Sequence, residues 1–227
     1  MEEKTKSGLF LYLVLAGVFI AFLVTCNLIF QKFFVWNLFD LHEFRLSVGL
    51  IPYPLTFLVT DLISEIYGRK KADLVVMVGL ICAILVMLVV IIGDYLPVME
   101  GSWLSQEEYH KAFGFTGLAV SASMMAYLTA QFIDIRVFHF WKRVTKGKYL
   151  WVRNNFSTLT SQLVDTTVIF VLLCYFGVFE WKLFWGLFAS SFLYKVIVAI
   201  CDTPFFYLFT YLIKRHFKLG LNDELKL

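Results

Sequence analysis

Polar and apolar positions fall along this chain in long blocks, not at the short periods of a soluble fold. Apolar stretches of about 20 residues cross a hydrocarbon layer at about 1.5 Å per helical residue. Six such stretches occur, at residues 9–30, 46–67, 72–93, 115–137, 156–179 and 183–213. Each is predicted to be a membrane-crossing helix, and together they make a single membrane domain of residues 1–227. The first follows Lys4 and Lys6 as a signal peptide would, but its apolar run is too long and no small-residue cleavage site follows, so it is expected to stay as a helix. The last exceeds one bilayer thickness and must tilt, kink or emerge near 204–211.

Composition agrees with that pattern. Of 227 residues 60% are hydrophobic, 19% aromatic and only 16% charged, with a mean hydropathy of +0.77. Charges are too few, and too clustered between the runs, to give a soluble domain a polar shell. Soluble enzymes, disulfide scaffolds and nucleic-acid-binding domains are excluded, and lipid is the expected surrounding. The net charge of +3 says less than its placement. Fifteen lysines and arginines fall on one side of the six spans and four on the other, with Lys195 inside the last span. The positive-inside rule then puts both termini in the cytoplasm and the acidic loop 94–111 outside. The four cysteines lie in apolar runs without C-x-x-C spacing or neighbouring histidines, so buried free thiols are expected, with no metal and no cofactor.

The informative residues are polar ones inside the runs. An uncompensated charge at mid-membrane costs about 2.5–3.5 kcal/mol on insertion scales, so each needs a partner, a cavity or a proton. The second run reads IPYPLTFLVTDLISEIYGRKK. Pro52 and Pro54 remove two backbone donors and push Ile51 and Tyr53 out of the α region, which breaks the helix at a Pro-x-Pro and starts it near Pro54. Asp61 and Glu65 share a face four residues apart. Glu65 is one turn from Arg69, where an i,i+4 ion pair would explain it; Asp61 is a turn deeper, about 6 Å, with no local cation.

The fourth and fifth runs contain TAQFIDIRVF (129–138) and TSQLVDTTVIF (160–170), each with Gln and Asp at i,i+3, a short match that hints at internal duplication. Asp134, next to Arg136, is readable as interfacial; Gln131, Asn155, Gln162 and Asp165 are candidate ligands. In the last run Lys195 and Asp202 are two turns apart, so Lys195 is expected to meet Asp61 or Asp165 on another helix. Acids exceed bases in this set, which suits a cationic or donor-rich substrate, or coupled protons. Tyr53, Phe57 and Tyr194 are placed to stack on a flat ring or to pack the interior, and Trp36, Trp103, Trp141, Trp151 and Trp181 to anchor the interfaces.

The segments YPLTFLVTDLISEIYG, SQLVDT after a basic loop and an Asn-Asn pair, and K-x-x-x-A-x-x-DTP-x-x-Y together resemble the vitamin uptake transporter family, whose members include bacterial queuosine precursor transporters. The likeness runs over about residues 10–213. It implies import of a 7-deazaguanine base, preQ0, preQ1 or queuine, across the inner membrane for salvage into modified tRNA. It also implies a fold related to the substrate-binding subunits of energy-coupling-factor importers. A guanine-like edge offers a ring N–H and an exocyclic amine side by side; one carboxylate accepts both, and an amide meets the carbonyl. The expected site is therefore a midplane one built from the second, fifth and sixth spans. Two rivals stand beside this reading. An intramembrane protease lacks a mid-span histidine or a G-x-S-x-G turn, so no catalytic residues are assigned. A binding subunit would need a separate energising partner, since no nucleotide-binding G-x-x-x-x-G-K-[ST] occurs. Oligomeric state is left open, a homo-oligomer included.

Overall fold

The structure is a computed structural model. It describes residues 2–30, 32–38, 42–114, 117–146, 148–177, 180–220 and 223–226, with the side chains of 2–4, 33, 37–38, 42–45 and 117–123 outside the description. Seven α-helices and one hairpin make up the described chain. In order these are α1 (Glu2–Ile29), β1 (Phe33–Leu38), β2 (His42–Ser47), α2 (Tyr53–Tyr67), α3 (Arg69–Tyr95), α4 (Gln106–Phe113), α5 (Gly117–Val144), α6 (Leu150–Tyr175) and α7 (Phe184–Phe217). Among the described residues five stretches are long and apolar enough to cross a membrane: Thr5–Ile29, Val48–Tyr67, Arg69–Tyr95, Leu150–Tyr175 and Trp181–Phe217. The sixth expected span falls in α5, which has 28 residues but lacks comparable apolarity because Gln131, Asp134 and Arg136 interrupt it.

Two elements depart from the all-helical expectation. Residues 33–38 and 42–47 pair antiparallel, Phe33 opposite Ser47 and Leu38 opposite His42. The apolar run that begins at Leu46 therefore opens with the end of a strand. Ser47 next caps a single 3₁₀ turn (Val48–Leu50), accepting from the Gly49 N–H at 3.2 Å and donating to the Phe30 carbonyl. The loop 94–111 contains α4, whose start is a capping box: the Ser105 hydroxyl accepts from the Glu108 N–H while the Glu108 carboxylate accepts from Ser105. The thiols also differ from expectation; Cys26 and Cys174 are buried, but Cys82 is half-buried and Cys201 exposed on the apolar surface.

α2 begins at Tyr53, with Pro52 just before it and Pro54 inside the first turn, where a missing N–H leaves no intrahelical bond unmade. It is the least apolar of the five crossing stretches and the most enclosed, with every residue from Thr56 to Tyr67 buried. Those two facts have one cause. Thr56, Thr60, Asp61, Ser64 and Glu65 cannot face hydrocarbon, so α2 occupies the middle of the bundle, packed by α1, α3, α5 and α7. The outer helices behave oppositely. On α3 a seam of Ala72, Val75, Val76, Gly79 and Ala83 is buried while Leu74, Met77, Ile81, Leu85 and Leu88 are exposed to the apolar surroundings. Gly79 lets the Phe19 ring of α1 approach, since a Cβ there would lie 2.6 Å from that ring.

α2 joins α3 through Gly68 alone, at φ +84° and ψ 169°, a conformation essentially restricted to glycine. The C-terminal segment lies over this corner, the Leu225 N–H donating to the Ile66 carbonyl at 2.7 Å. Nearby, the Tyr67 hydroxyl donates to the Gly8 carbonyl (2.8 Å) and that of Tyr12 to the Lys71 carbonyl (3.2 Å). The expected Glu65–Arg69 pair is absent; Arg69 turns forward along α3 to Asp73, 3.4 Å away. α7 runs unbroken through Pro204, which leaves the Ile200 carbonyl without its helical donor.

Candidate functional site

Positions 53, 57, 61 and 65 recur every four residues, so Tyr53, Phe57, Asp61 and Glu65 form one stripe down α2. The polar interior is arranged in three levels along that stripe.

At the first level, Tyr53, Phe57 and Tyr127 of α5 pack ring against ring, with centroids 5.3–6.0 Å apart. Lys195 of α7 points its ammonium at the Tyr53 face, 4.8 Å from the centroid, and bonds Asp165 of α6 at 2.6 Å and the Thr166 hydroxyl at 3.1 Å. Of the two partners foreseen for Lys195, the structure selects Asp165. Behind α2, the Gln131 amide donates to the Tyr127 hydroxyl (2.7 Å) and lies 3.1 Å from the Thr60 hydroxyl, bracing α2 against α5.

At the second level lie Asp61 and Asp134, 1% and 0% exposed. The two carboxyl groups are within reach of a hydrogen bond. Thr158 of α6 lies beside Asp61, and the Ser161 hydroxyl donates to Asp134 at 2.9 Å. Asp134 is thus an interior residue, not an interfacial one.

At the third level Glu65 gathers three cations. Arg153 of α6 is 2.7 Å and Lys214 of α7 2.5 Å from Oε1, and Lys142 of α5 is 3.4 Å from Oε2. Arg153 is 2% exposed, over the Phe138 ring. Glu224 from the C-terminal segment meets Lys142 at 3.6 Å. One carboxylate thereby ties α2 to α5, α6 and α7, and the ends of those helices are brought together by charge where packing alone would leave repelling cations.

Between α2, α6 and α7 the first two levels open on a narrow cavity of about 20 Å³, room for little more than a water molecule as the side chains stand. α2 contributes Tyr53, Pro54, Phe57, Leu58 and Asp61; α6 contributes Asn154, Thr158 and Gln162; α7 contributes Lys195, Ala199 and Asp202. Six residues singled out from the sequence meet here: Tyr53, Phe57, Asp61, Gln162, Lys195 and Asp202. Five do not reach the wall. Asp165 sits behind Lys195, Glu65 is held by its cations, and Gln131 lies on the far side of α2. The Asn155 amide donates to the Thr203 hydroxyl at 2.9 Å, and Tyr194 packs edge-on against Trp36, centroids 5.9 Å apart. Asn154 and Thr158 were missed, although counting back from Gln162 in steps of four finds both.

The cavity is rich in unused acceptors. Asp61 Oδ1 and Gln162 Oε1 are buried and receive no hydrogen bond, and Asp202 has no ion pair among the described residues. Buried polar atoms of this kind are costly unless something supplies a donor. No group of three or more potential metal ligands occurs among the described residues.

A family model described as "Putative vitamin uptake transporter" matches residues 47–209, which include the whole cavity wall. The chain is similar to the "Probable queuosine precursor transporter" of Bacillus subtilis, 29% identical over 169 residues that cover 74% of this chain and 73% of that protein. It is similar to the "Queuosine precursor transporter" of Escherichia coli, 29% identical over 129 residues, covering 57% of this chain and 55% of that protein. A third relative, the "Probable queuosine precursor transporter" of Haemophilus influenzae, is 27% identical over 133 residues, 59% of this chain and 54% of its own length. The matches to the last two thus span about half of those proteins. No solved structure matches the chain.

Proposed function

The chain belongs to the vitamin uptake transporter family, and from that premise we propose that it carries a queuosine precursor, a 7-deazaguanine base such as preQ0, preQ1 or queuine, inward across the inner membrane. The names of the three relatives support this substrate class. Within the structure, the observation that carries the reading is the pair of unsatisfied buried acceptors, Asp61 Oδ1 and Gln162 Oε1, on the wall of one cavity. The ring N–H and exocyclic amine of a guanine-like base are adjacent donors, matched by a carboxylate such as Asp61, and a flipped Gln162 amide presents an N–H to the ring carbonyl. Tyr53 and Phe57 offer faces on which a flat heterocycle stacks. Asp202 suits the cationic arm of an aminomethyl base, and Lys195, held by Asp165, lends a fixed positive charge to the same space.

In this proposal six helices, α1, α2, α3, α5, α6 and α7, cross the bilayer. Both termini are cytoplasmic, as the fifteen-to-four distribution of lysine and arginine favours. The three cations on Glu65 then close the cytoplasmic end and the Tyr53–Phe57–Tyr127 rings the outer end. The relation to energy-coupling-factor binding subunits belongs to the same proposal, and so does the protein's role as a carrier without enzymatic chemistry.

The test is direct. Purified protein is screened by thermal shift against preQ0, preQ1, queuine, guanine and several vitamins, since a ligand present at 100 times its Kd stabilises the folded state by about 2.7 kcal/mol. A selective shift with a deazaguanine is expected, followed by uptake into liposomes that contain this protein alone. No shift with any deazaguanine overturns the substrate. A shift without uptake overturns autonomous transport and assigns the chain to a complex with an energising partner.

A further inference from the structure

Asp134 has no place in the substrate wall, yet it is wholly buried beside Asp61, which does. A carboxylate only accepts hydrogen bonds, so two of them facing each other in a low-dielectric interior repel unless a proton lies between them. Here the two groups are within hydrogen-bonding reach, while Asp61 Oδ1 and Asp134 Oδ2 receive no donor. A single shared proton supplies the missing donor and removes one of two charges from mid-membrane, where each is expensive.

The surroundings favour a proton over a second cation. From α2 the neighbouring acid is Glu65, already occupied by Arg153, Lys142 and Lys214. From α6 the facing groups are the hydroxyls of Thr158, Ser157 and Ser161, and Arg153, which is near enough to act on Asp61 but bonded to Glu65. From α7, Lys195 is committed to Asp165, and Asp202 lies across the cavity. Among the described side chains, α1 and α3 present no charged group to the pair. One positive charge is thus missing at this level, and no described side chain can provide it.

We propose that Asp61 and Asp134 hold one exchangeable proton, and that this proton is the coupling ion for transport through the adjacent cavity. The two acids divide the labour. Asp61 lines the cavity, so donors of a bound base fall on it; Asp134 retains the proton and donates back to Asp61, leaving Asp61 ionised toward the base. Substrate and proton are then held together, and when one leaves, the repulsion between the carboxylates changes the hold on the other. The proton binds and leaves as H⁺ and no other bond is made or broken.

This inference rests on the transport reading, and its test separates the two. Infrared spectroscopy of the purified protein without substrate reports the carbonyl stretch of a protonated carboxylic acid. Wild type is expected to show it at neutral pH, and Asp134→Asn to lose it, because the asparagine amide gives Asp61 the donor that the proton had supplied. In liposomes with the membrane potential clamped, a gradient of one pH unit, acid outside, drives accumulation of up to about tenfold for one proton per substrate. Asp134→Asn is expected to exchange labelled for unlabelled substrate at a rate of its own but to accumulate none above equilibrium, with Asp134→Glu recovering accumulation and serving as the folding control. An unchanged infrared band in Asp134→Asn overturns the shared proton. Wild-type accumulation that ignores the gradient, or an Asp134→Asn protein that still accumulates, overturns the coupling. Absence of any exchange in wild type counts against the substrate and leaves the infrared result to decide the proton.

Discussion

Lys195→Met separates the ion pair that joins α6 to α7 and shows whether that pair is scaffold, site or both. The ammonium has three partners: Asp165 at 2.6 Å, the Thr166 hydroxyl at 3.1 Å and the Tyr53 ring at 4.8 Å. Both charged groups are enclosed, with side chains 6% and 0% exposed. Removing one partner of such a pair costs about 3–5 kcal/mol, mostly because the other charge is left buried and unpaired. With about 4 kcal/mol as the working figure, and about 2–4 °C lost per kcal/mol in a chain of this size, the unfolding midpoint drops by about 8–16 °C. Asp165→Leu strands the ammonium and is expected to cost a similar amount. The double variant Lys195→Met/Asp165→Leu replaces the pair by apolar groups of similar bulk and is expected to return to within about 2 kcal/mol of wild type. Thermal scanning of the four proteins in one detergent, with and without ligand, reads stability and binding together. Because Lys195 also lines the cavity, the double variant is expected to regain its stability but not the ligand-induced shift. Single variants within about 1 kcal/mol of wild type, or a double variant as unstable as the sum of the singles, would refute the assignment of a strongly coupled pair.

Other outcomes follow from the same geometry. Glu65→Gln leaves Arg153, Lys142 and Lys214 facing one another without their carboxylate; a loss of about 3–5 kcal/mol is expected in the same scan, larger at low ionic strength. Gln162→Leu removes from the cavity wall the amide that meets the ring carbonyl and is expected to weaken ligand binding about tenfold. Asn155→Leu, whose amide is turned to Thr203, is expected to leave affinity unchanged in the same titration. On α4, the hydrogen bonds from Ser105 hold the Glu108 carboxyl below the usual carboxylate range. Its folded pKa is lower than its unfolded one, so the cap is intact at neutral pH and is lost as the pH falls through that lowered value. Amide-exchange protection of 106–113 should fall in acid before that of the long helices, and Glu108→Gln should abolish the difference.

The long helices were legible because length and apolarity suffice to specify them, whatever their neighbours. The hairpin was not, for the opposite reason. FFVWNL and HEFRLS need each other to form a ladder, and the last two residues of the second, Leu46 and Ser47, already belong to the apolar stretch that begins at Leu46. Apolar continuity therefore hid a change from strand to 3₁₀ turn to helix. α4 was legible in principle, since Ser105-x-x-Glu108 is a capping box, but in a loop judged by its charge the signal was passed over. α5 shows the reverse difficulty. Gln131 and Asp134 lower its apolarity below that of its neighbours although they face other helices and not lipid, a distinction that composition does not carry.

At the site, what could be read from spacing was limited by the choice of starting point. The stripe 53, 57, 61, 65 lies in one helix and needs no partner to be seen. On α6 the same step of four from Gln162 passes through Thr158 to Asn154, one position from the asparagine that was chosen. The cations are a different matter. Arg136 and Arg153 both sit near a helix end beside other basic residues, and hydropathy treats them alike. Arg136 is exposed and returns to its own helix, donating to the Phe132 carbonyl, while Arg153 is 2% exposed. What separates them is a carboxylate on another helix: Glu65 is 88 positions before Arg153, and 149 before Lys214, which shares it. Asp134 is readable as interfacial for the same reason, its environment inferred from Arg136 two residues away, although its side chain turns toward Ser161, 27 positions on. In a membrane interior a charge is stable only with its partner, and the partner comes from elsewhere in the chain. The polar residues can therefore be found from the sequence one by one, but which of them form the scaffold and which remain unsatisfied in the cavity is decided by the packing of α2 against α5, α6 and α7.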